Sequence, residues 1–215
     1  MRHIPSSDTI HAGVLSFEDA LQPTAADYDR GRWLYVPDHY SEYRYILGTR
    51  GEHPLICIGI NPSTAAPDRL DNTLKSAQRI ALNNGYDSFI MFNVYAQRAT
   101  LPDNMEKVLN PVLHRENMKA FTWVLEGIQG PPHLWAAWGA IIEKRDYLPG
   151  CVRDMIAIGR RFGACWFTAG ARSKAGHPHH PLYLKSDSPL DSFTDLDVYL
   201  DSLRQKGMIP DDENV

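Results

Sequence analysis

His177, His179 and His180 fall in one short stretch, H-P-H-H-P-L, with Pro178 and Pro181 fixing the backbone around them. Neutral imidazoles can bind a metal, carry a proton or donate a hydrogen bond. Prolines hold such side chains in place at small entropic cost. A zinc site would draw its remaining ligands from elsewhere, and no carboxylate or cysteine stands beside these histidines. No metal and no cofactor is expected. A histidine acting as a donor or proton carrier needs partner groups from other parts of the chain, and two asparagines are candidates. Asn61 stands in G-I-N-P, where Pro62 pushes it into extended geometry and fixes where its amide points. Such an amide can position a water, and Ser63 and Thr64 add hydroxyls beside it. Asn93 closes the apolar run "SFIMFN" and offers both a donor and an acceptor, as the edge of a nucleobase requires. Tyr95, two residues on, has a flat face for stacking. Gly139, after "AAW", allows a close approach or makes a turn.

These residues must be brought together by the elements that precede them. "LICIGI" (55–60), "SFIMFNV" (88–94), "HLWAAWG" (133–139) and "CWFTAG" (165–170) are continuous apolar runs, as expected of strands covered on both faces. Helical spacing lies between them. Leu74, Ala77, Ile80 and Ala81 follow Asp71 as a candidate N-cap. A second stripe runs from Leu113 to Ile128 after Asn110 and Pro111, and a third over 151–163 ends at a glycine. A closing helix is expected over 193–207. The aromatic segments 32–36 and 43–50 read as an antiparallel pair at a sheet edge. The expected fold is α/β: a three-layer sandwich with a four-stranded, mainly parallel sheet and an N-terminal antiparallel edge pair. Residues 1–30 read as a loosely packed lead-in, 31–207 as one domain and 208–215 as an acidic tail. Ligands of parallel sheets bind beyond the carboxyl ends of the strands. Asn61, Asn93, Gly139 and the histidine stretch are the residues that follow those four ends.

Composition narrows the class. The 215 residues are 43% hydrophobic and 22% charged, ordinary for a soluble globular chain. No apolar run reaches the roughly 18 residues of a membrane span. The N-terminus lacks an apolar signal core, so a cytoplasmic protein is expected. The net charge of −4 argues against a protein that coats DNA, while leaving room for a local basic mouth. Arg98, Lys144, Arg172, Lys174 and Lys185 lie in the strand-exit loops, diluted by Asp68, Glu143, Asp146 and Asp187. Cys57, Cys151 and Cys165 form no C-x-x-C pair and are expected as buried free thiols.

Taken in order, G-I-N-P, the Asn-terminated second run, W-G-A and the final H-P-L resemble the motifs of the uracil-DNA glycosylase superfamily. The span from about Arg44 to Tyr183, with "NPSTA", "DNT", "WG" and "HPLYL", is similar to the bacterial and phage domain-of-unknown-function family sixteen-forty-three. The glycosylase resemblance implies that Asn61 orients the attacking water, Asn93 reads the base and a histidine bonds the departing base. It further implies that Leu182 or Tyr183 enters the duplex. Aligned on its second H-P the histidine is His180, the favoured choice because Pro181 and Leu182 follow directly; aligned on the first it is His177. Ser63 stands where the mismatch-specific branch has glycine. Asp71 and Thr73 of "DNT" either join the site or cap a helix. The implied partner is a nucleic acid, a nucleotide or a nucleobase, with a small-molecule nucleoside hydrolase or a non-catalytic interaction module as the competing classes.

Overall fold

The computed structural model describes residues 2–5 and 13–209. In chain order its elements are α1 (Phe17–Ala20), β1 (Trp33–Val36), β2 (Ile46–Thr49), β3 (Pro54–Gly59), α2 (Asn72–Asn83), β4 (Ser88–Asn93), α3 (Pro111–Glu126), β5 (His133–Ala136), α4 (Leu148–Arg161), β6 (Cys165–Ala169), β7 (Leu190–Ser192) and α5 (Leu196–Gln205). Short 3-10 turns cover Pro102–Asn104, Gly139–Lys144 and Pro181–Tyr183. Every residue of β3 and β4 is buried. Ile56 and Ile58 face one core cluster together with α3, α4 and α5, whereas Leu55 and Cys57 face a second cluster with α2. Continuous apolar strands are what a sheet with helices on both faces requires.

The sheet is larger than the expected four strands. It has seven, in the order β1-β2-β4-β3-β5-β6-β7. The four central strands pair in parallel, and β2 and β7 pair antiparallel at either side. The aromatic pair is antiparallel and forms one edge of this sheet, as its segments suggested, joined to it where Leu47 aligns with Met91. β7 has three residues, two of them exposed, so no apolar run announces it. α4 begins at Leu148, three residues before the expected Cys151, because Pro149 fits the first turn of a helix. Cys57 and Cys151 are buried, but Cys165 is exposed as the first residue of β6, contrary to expectation.

Within the expected lead-in, Phe17 packs edge-on against Tyr45 and Trp123, and its backbone N–H donates to Glu116 at 3.0 Å. Most of the expected acidic tail, residues 210–215, lies outside the described residues. Among the described residues no helix is long and apolar enough to cross a membrane.

One buried polar residue ties a helix to a strand end. Asn117 of α3 is fully buried, and its Nδ2 donates to the carbonyls of Asn93 (3.0 Å) and Val94 (3.1 Å). Those carbonyls lie where β4 stops and the ladder no longer serves them. Replacing Asn117 by Leu keeps the branched shape and leaves both carbonyls unpaired in the core. We expect a loss of about 1–3 kcal/mol, seen as a fall in Tm of about 2–4 °C per kcal/mol for a chain of this size. An unchanged Tm in thermal unfolding would show that the bonds hold nothing in place.

Candidate functional site

The carboxyl ends of β3 and β4 open into a cleft of about 400 Å³. Gly59, Met91 and Asn93 line it from the strands, and Asn61, Ser63 and Thr64 from the loop after β3. Asp71, Asn72 and Thr73 contribute from the start of α2, and His180 and Leu182 from the loop after β6. Residues from three separate strand ends thus share one cavity, the position expected of a ligand site in a parallel sheet.

Asn93 is a fully buried polar group of the lining. It is 1% exposed, and neither its Nδ2 nor its Oδ1 has a hydrogen-bond partner. Leaving a buried donor and acceptor unmet costs about 1–3 kcal/mol per group. Gly59 is its partner in the parallel ladder. A Cβ there would lie 3.2 Å from Asn93 Oδ1, so the glycine keeps space open beside the amide.

Asn61 is held differently. Its Nδ2 donates to the carbonyls of Ala99 (2.7 Å) and Pro62 (3.0 Å). Both amide hydrogens are thereby used, and Oδ1 is left as an acceptor. The loop itself is sewn to the segment after β4: Ala99 N donates to Pro62 O at 2.9 Å, and Ser63 Oγ to Thr100 Oγ1 at 3.2 Å. Asp71 accepts from Leu74 N at 3.0 Å and so caps α2, as its sequence position suggested, while also lining the cleft.

His180 stands on the other wall. Its Nδ1 accepts the N–H of Leu182 at 3.3 Å, which leaves the ring proton of the neutral form on Nε2. Burial pushes its pKa below the ordinary histidine value, with Asp71 pulling weakly the other way. Gly139 lies behind it with φ +63°, and a Cβ there would come within 3.5 Å of His180 Cβ. Ser76 of α2 donates to Pro181 O at 2.8 Å and fixes the turn that follows.

Several expected site residues lie elsewhere. His177 is buried behind the cleft, its Nε2 bonded to Glu143 (2.9 Å) and its Nδ1 to the Tyr199 hydroxyl (3.1 Å). It moors the loop, and His180 is the histidine that lines the cavity. Tyr95 offers no stacking face: it is fully buried against Tyr147, and its hydroxyl donates to Glu106. A phenol in a core finds its acceptor there and cannot also reach the cleft. Tyr183 is 76% exposed and lines no part of the cavity. Pro62 is buried and contributes its carbonyl to the support of Asn61. Arg98, expected at a rim, is fully buried and donates to the carbonyls of Ser63 and Ala65 and to Tyr35 Oη.

Arg44 was missed by the sequence reading. It is 1% exposed and lines the cleft. Its position between the buried Tyr43 and Tyr45 was the available signal, since alternation places the middle residue of a strand-like run on the opposite face.

The molecule is thus an α/β protein with a cleft at the ends of its parallel strands, lined in part by asparagine and histidine. The chain belongs to the family described as Protein of unknown function (DUF1643), which it matches over residues 44–182. No curated protein and no solved structure matches it. The match begins at Arg44 and ends at Leu182, both of which line the cleft.

The fold lowers the His180 pKa below its unfolded value of about 6.5, so the unfolded chain takes up the proton first as the pH falls. Stability from keeping this ring neutral is complete above about pH 6.5 and declines from there toward the depressed folded value. In urea unfolding at about pH 7.5 and about pH 5.5, wild type should lose more stability between the two than H180Q does. Equal losses would show that His180 is not held neutral by the fold.

Proposed function

We propose that the cleft recognises a nucleobase and hydrolyses the N-glycosidic bond that carries it. The observation that carries the proposal is Asn93: a buried amide with neither donor nor acceptor satisfied, facing a cavity of a base's scale. An edge presenting one acceptor and one donor satisfies both of its atoms at once.

The other groups suit the reaction. Breaking a glycosidic bond builds positive charge on the sugar and negative charge on the base. Asn61 Oδ1 accepts a hydrogen bond from the water and aims its oxygen at the anomeric carbon. The carbon–nitrogen bond breaks, its electron pair leaves with the base, and the base takes up the proton that the water gives up. His180, neutral with its proton on Nε2, donates to the base oxygen on which charge accumulates. A preorganised donor of this kind supplies about 3–4 kcal/mol. The resemblance to the uracil-DNA glycosylase superfamily in G-I-N-P, W-G-A and H-P-L supports the same assignment. In that scheme Leu182, 44% exposed at the cleft edge, is the side chain that enters a duplex.

The test is an assay for abasic-site formation in oligonucleotides carrying uracil, mismatched or modified bases, run beside free nucleosides. H180A and N61A should each lower the rate about 10²–10³-fold, the scale of one lost oxyanion donor, with the Tm little changed in H180A and lowered in N61A, which also frees two loop carbonyls. N93A should relax the choice of base more than it slows the reaction. Absence of cleavage in every case, with no nucleobase, nucleoside or nucleotide raising the Tm, would leave a non-catalytic interaction module as the function.

A further inference from the structure

Two arginines lie inside the protein, with Asp71 as the nearby carboxylate that favours the charge of each. Arg44 and Arg98 are both at most 1% exposed, and among the described residues neither makes an ion pair. Their guanidinium groups converge on one acceptor, the carbonyl of Ala65, each with an Nη1 at 3.2 Å. Arg98 is otherwise well served, by Ser63 O, by Tyr35 Oη and by the face of Tyr40 at 4.2 Å. Arg44 has only the Ala65 carbonyl; the Nε of each arginine is buried with no partner, but Arg44 is the one of the two that lines the cleft. Burial, with the like charge of Arg98 beside it, pulls Arg44 down to about 9. The fold thus holds a cation where a cation is disfavoured, and an anion beside it removes that cost.

The surroundings suit an anion further. The first turn of α2, a helix of 12 residues, borders the same cavity through Asn72 and Thr73. Its leading N–H groups have no intrahelical acceptor, and the dipole there favours negative charge. Among the described residues Asp71 is the only carboxylate lining the cleft, and one of its two oxygens is engaged with Leu74 N. Arg44 and Asp71 are the charged side chains of the lining among the described residues, and the buried Arg98 behind Arg44 adds a second cation close by.

The outer rim is different. Lys144 is paired with Asp103, Arg172 with Asp195, and Lys206 with Glu143. Arg145 is spent on the carbonyls of Asp103, Met105 and Glu106. Lys174 and Lys185 remain exposed. A polyanion draws its affinity from many phosphate contacts along a basic track, and here the positive charge is concentrated inside.

We propose that the occupant of this cleft is a free nucleotide, whose phosphate sits between Arg44 and the first turn of α2 while its base reaches Asn93. The proposal rests on the base-recognition reading of Asn93 and adds to it the oxyanion and the size of the ligand. The phosphate replaces the missing partner of Arg44 Nε, and the base replaces the missing partners of the Asn93 amide.

The experiment is calorimetry on the full chain with the four deoxynucleoside 5′-monophosphates, their nucleosides, inorganic phosphate and a single-stranded oligonucleotide. At least one monophosphate should bind about tenfold or more tighter than its nucleoside, the scale of a charge-assisted hydrogen bond, and inorganic phosphate should compete with it. R44M should remove that advantage and R44K should keep part of it. D71N should tighten the nucleotide. If R44M does not fold, the nucleotide-to-nucleoside ratio and the phosphate competition in wild type decide alone. A nucleoside that binds as well as its nucleotide overturns the phosphate site and leaves the base reading standing. Phosphate binding that needs Arg44, with no nucleoside or nucleotide preferred over it, overturns the base reading and reduces this inference to an oxyanion site. An oligonucleotide that binds tighter than every monophosphate, with a steep loss in salt, overturns the free nucleotide in favour of nucleic acid.

Discussion

A strand covered on both faces has nowhere to place a polar side chain except at its end, and this protein is built around that constraint. β3 and β4 are buried along their whole length, and the chain turns polar only where they stop. Asn93 is the last residue of β4, and Asn61 follows two residues after β3. Because the two strands run parallel, both amides emerge at the same edge of the sheet. The parallel ladder between Gly59 and Asn93 sets the depth of the cleft, and the loops that follow set its walls.

The loop carrying Asn61 is unusually well supported from within. Ser63 and Ala65 give their carbonyls to buried guanidinium groups, Pro62 gives its carbonyl to Ala99 N, and Asn61 reaches across to Ala99 O. Backbone carbonyls that would face water in an ordinary loop are satisfied by side chains from β2's approach and from the segment after β4. The result is an amide oxygen whose direction is set by covalent geometry and hydrogen bonds together. Preorganisation of that kind is what a site needs if its groups are to act without rearranging.

Much of the scaffold could be read directly. The apolar runs located all four central strands, because burial on both faces removes alternation and leaves an unbroken signal. Asp71 and Asn110 marked their helices through their side-chain chemistry, and both cap as expected. β7 escaped because a short exposed edge strand carries no apolar pattern. The site was legible in part. Asn61, Asn93, His180 and the residues of "DNT" were visible as polar groups at strand exits. Tyr95 and His177 have the right chemistry at the right place along the chain, yet both turn inward, drawn by the buried Glu106 and Tyr199 and by the more exposed Glu143. Those partners come from distant segments, so local sequence cannot reveal them. Arg44 and Asn117 were hidden for the opposite reason: each sits in a segment whose pattern says core, and only its contacts show that it serves the cleft.

The loop that bears His180 is anchored on both helix layers. His177 bonds to Tyr199 of α5 on one side of the sheet, and Pro181 accepts from Ser76 of α2 on the other. It therefore acts as a crossbar over the end of the sheet. Any sliding of one helix layer against the other must tilt this bar, and with it the imidazole at its centre. The orientation of His180 is in this sense a mechanical readout of how the two halves of the sandwich are aligned.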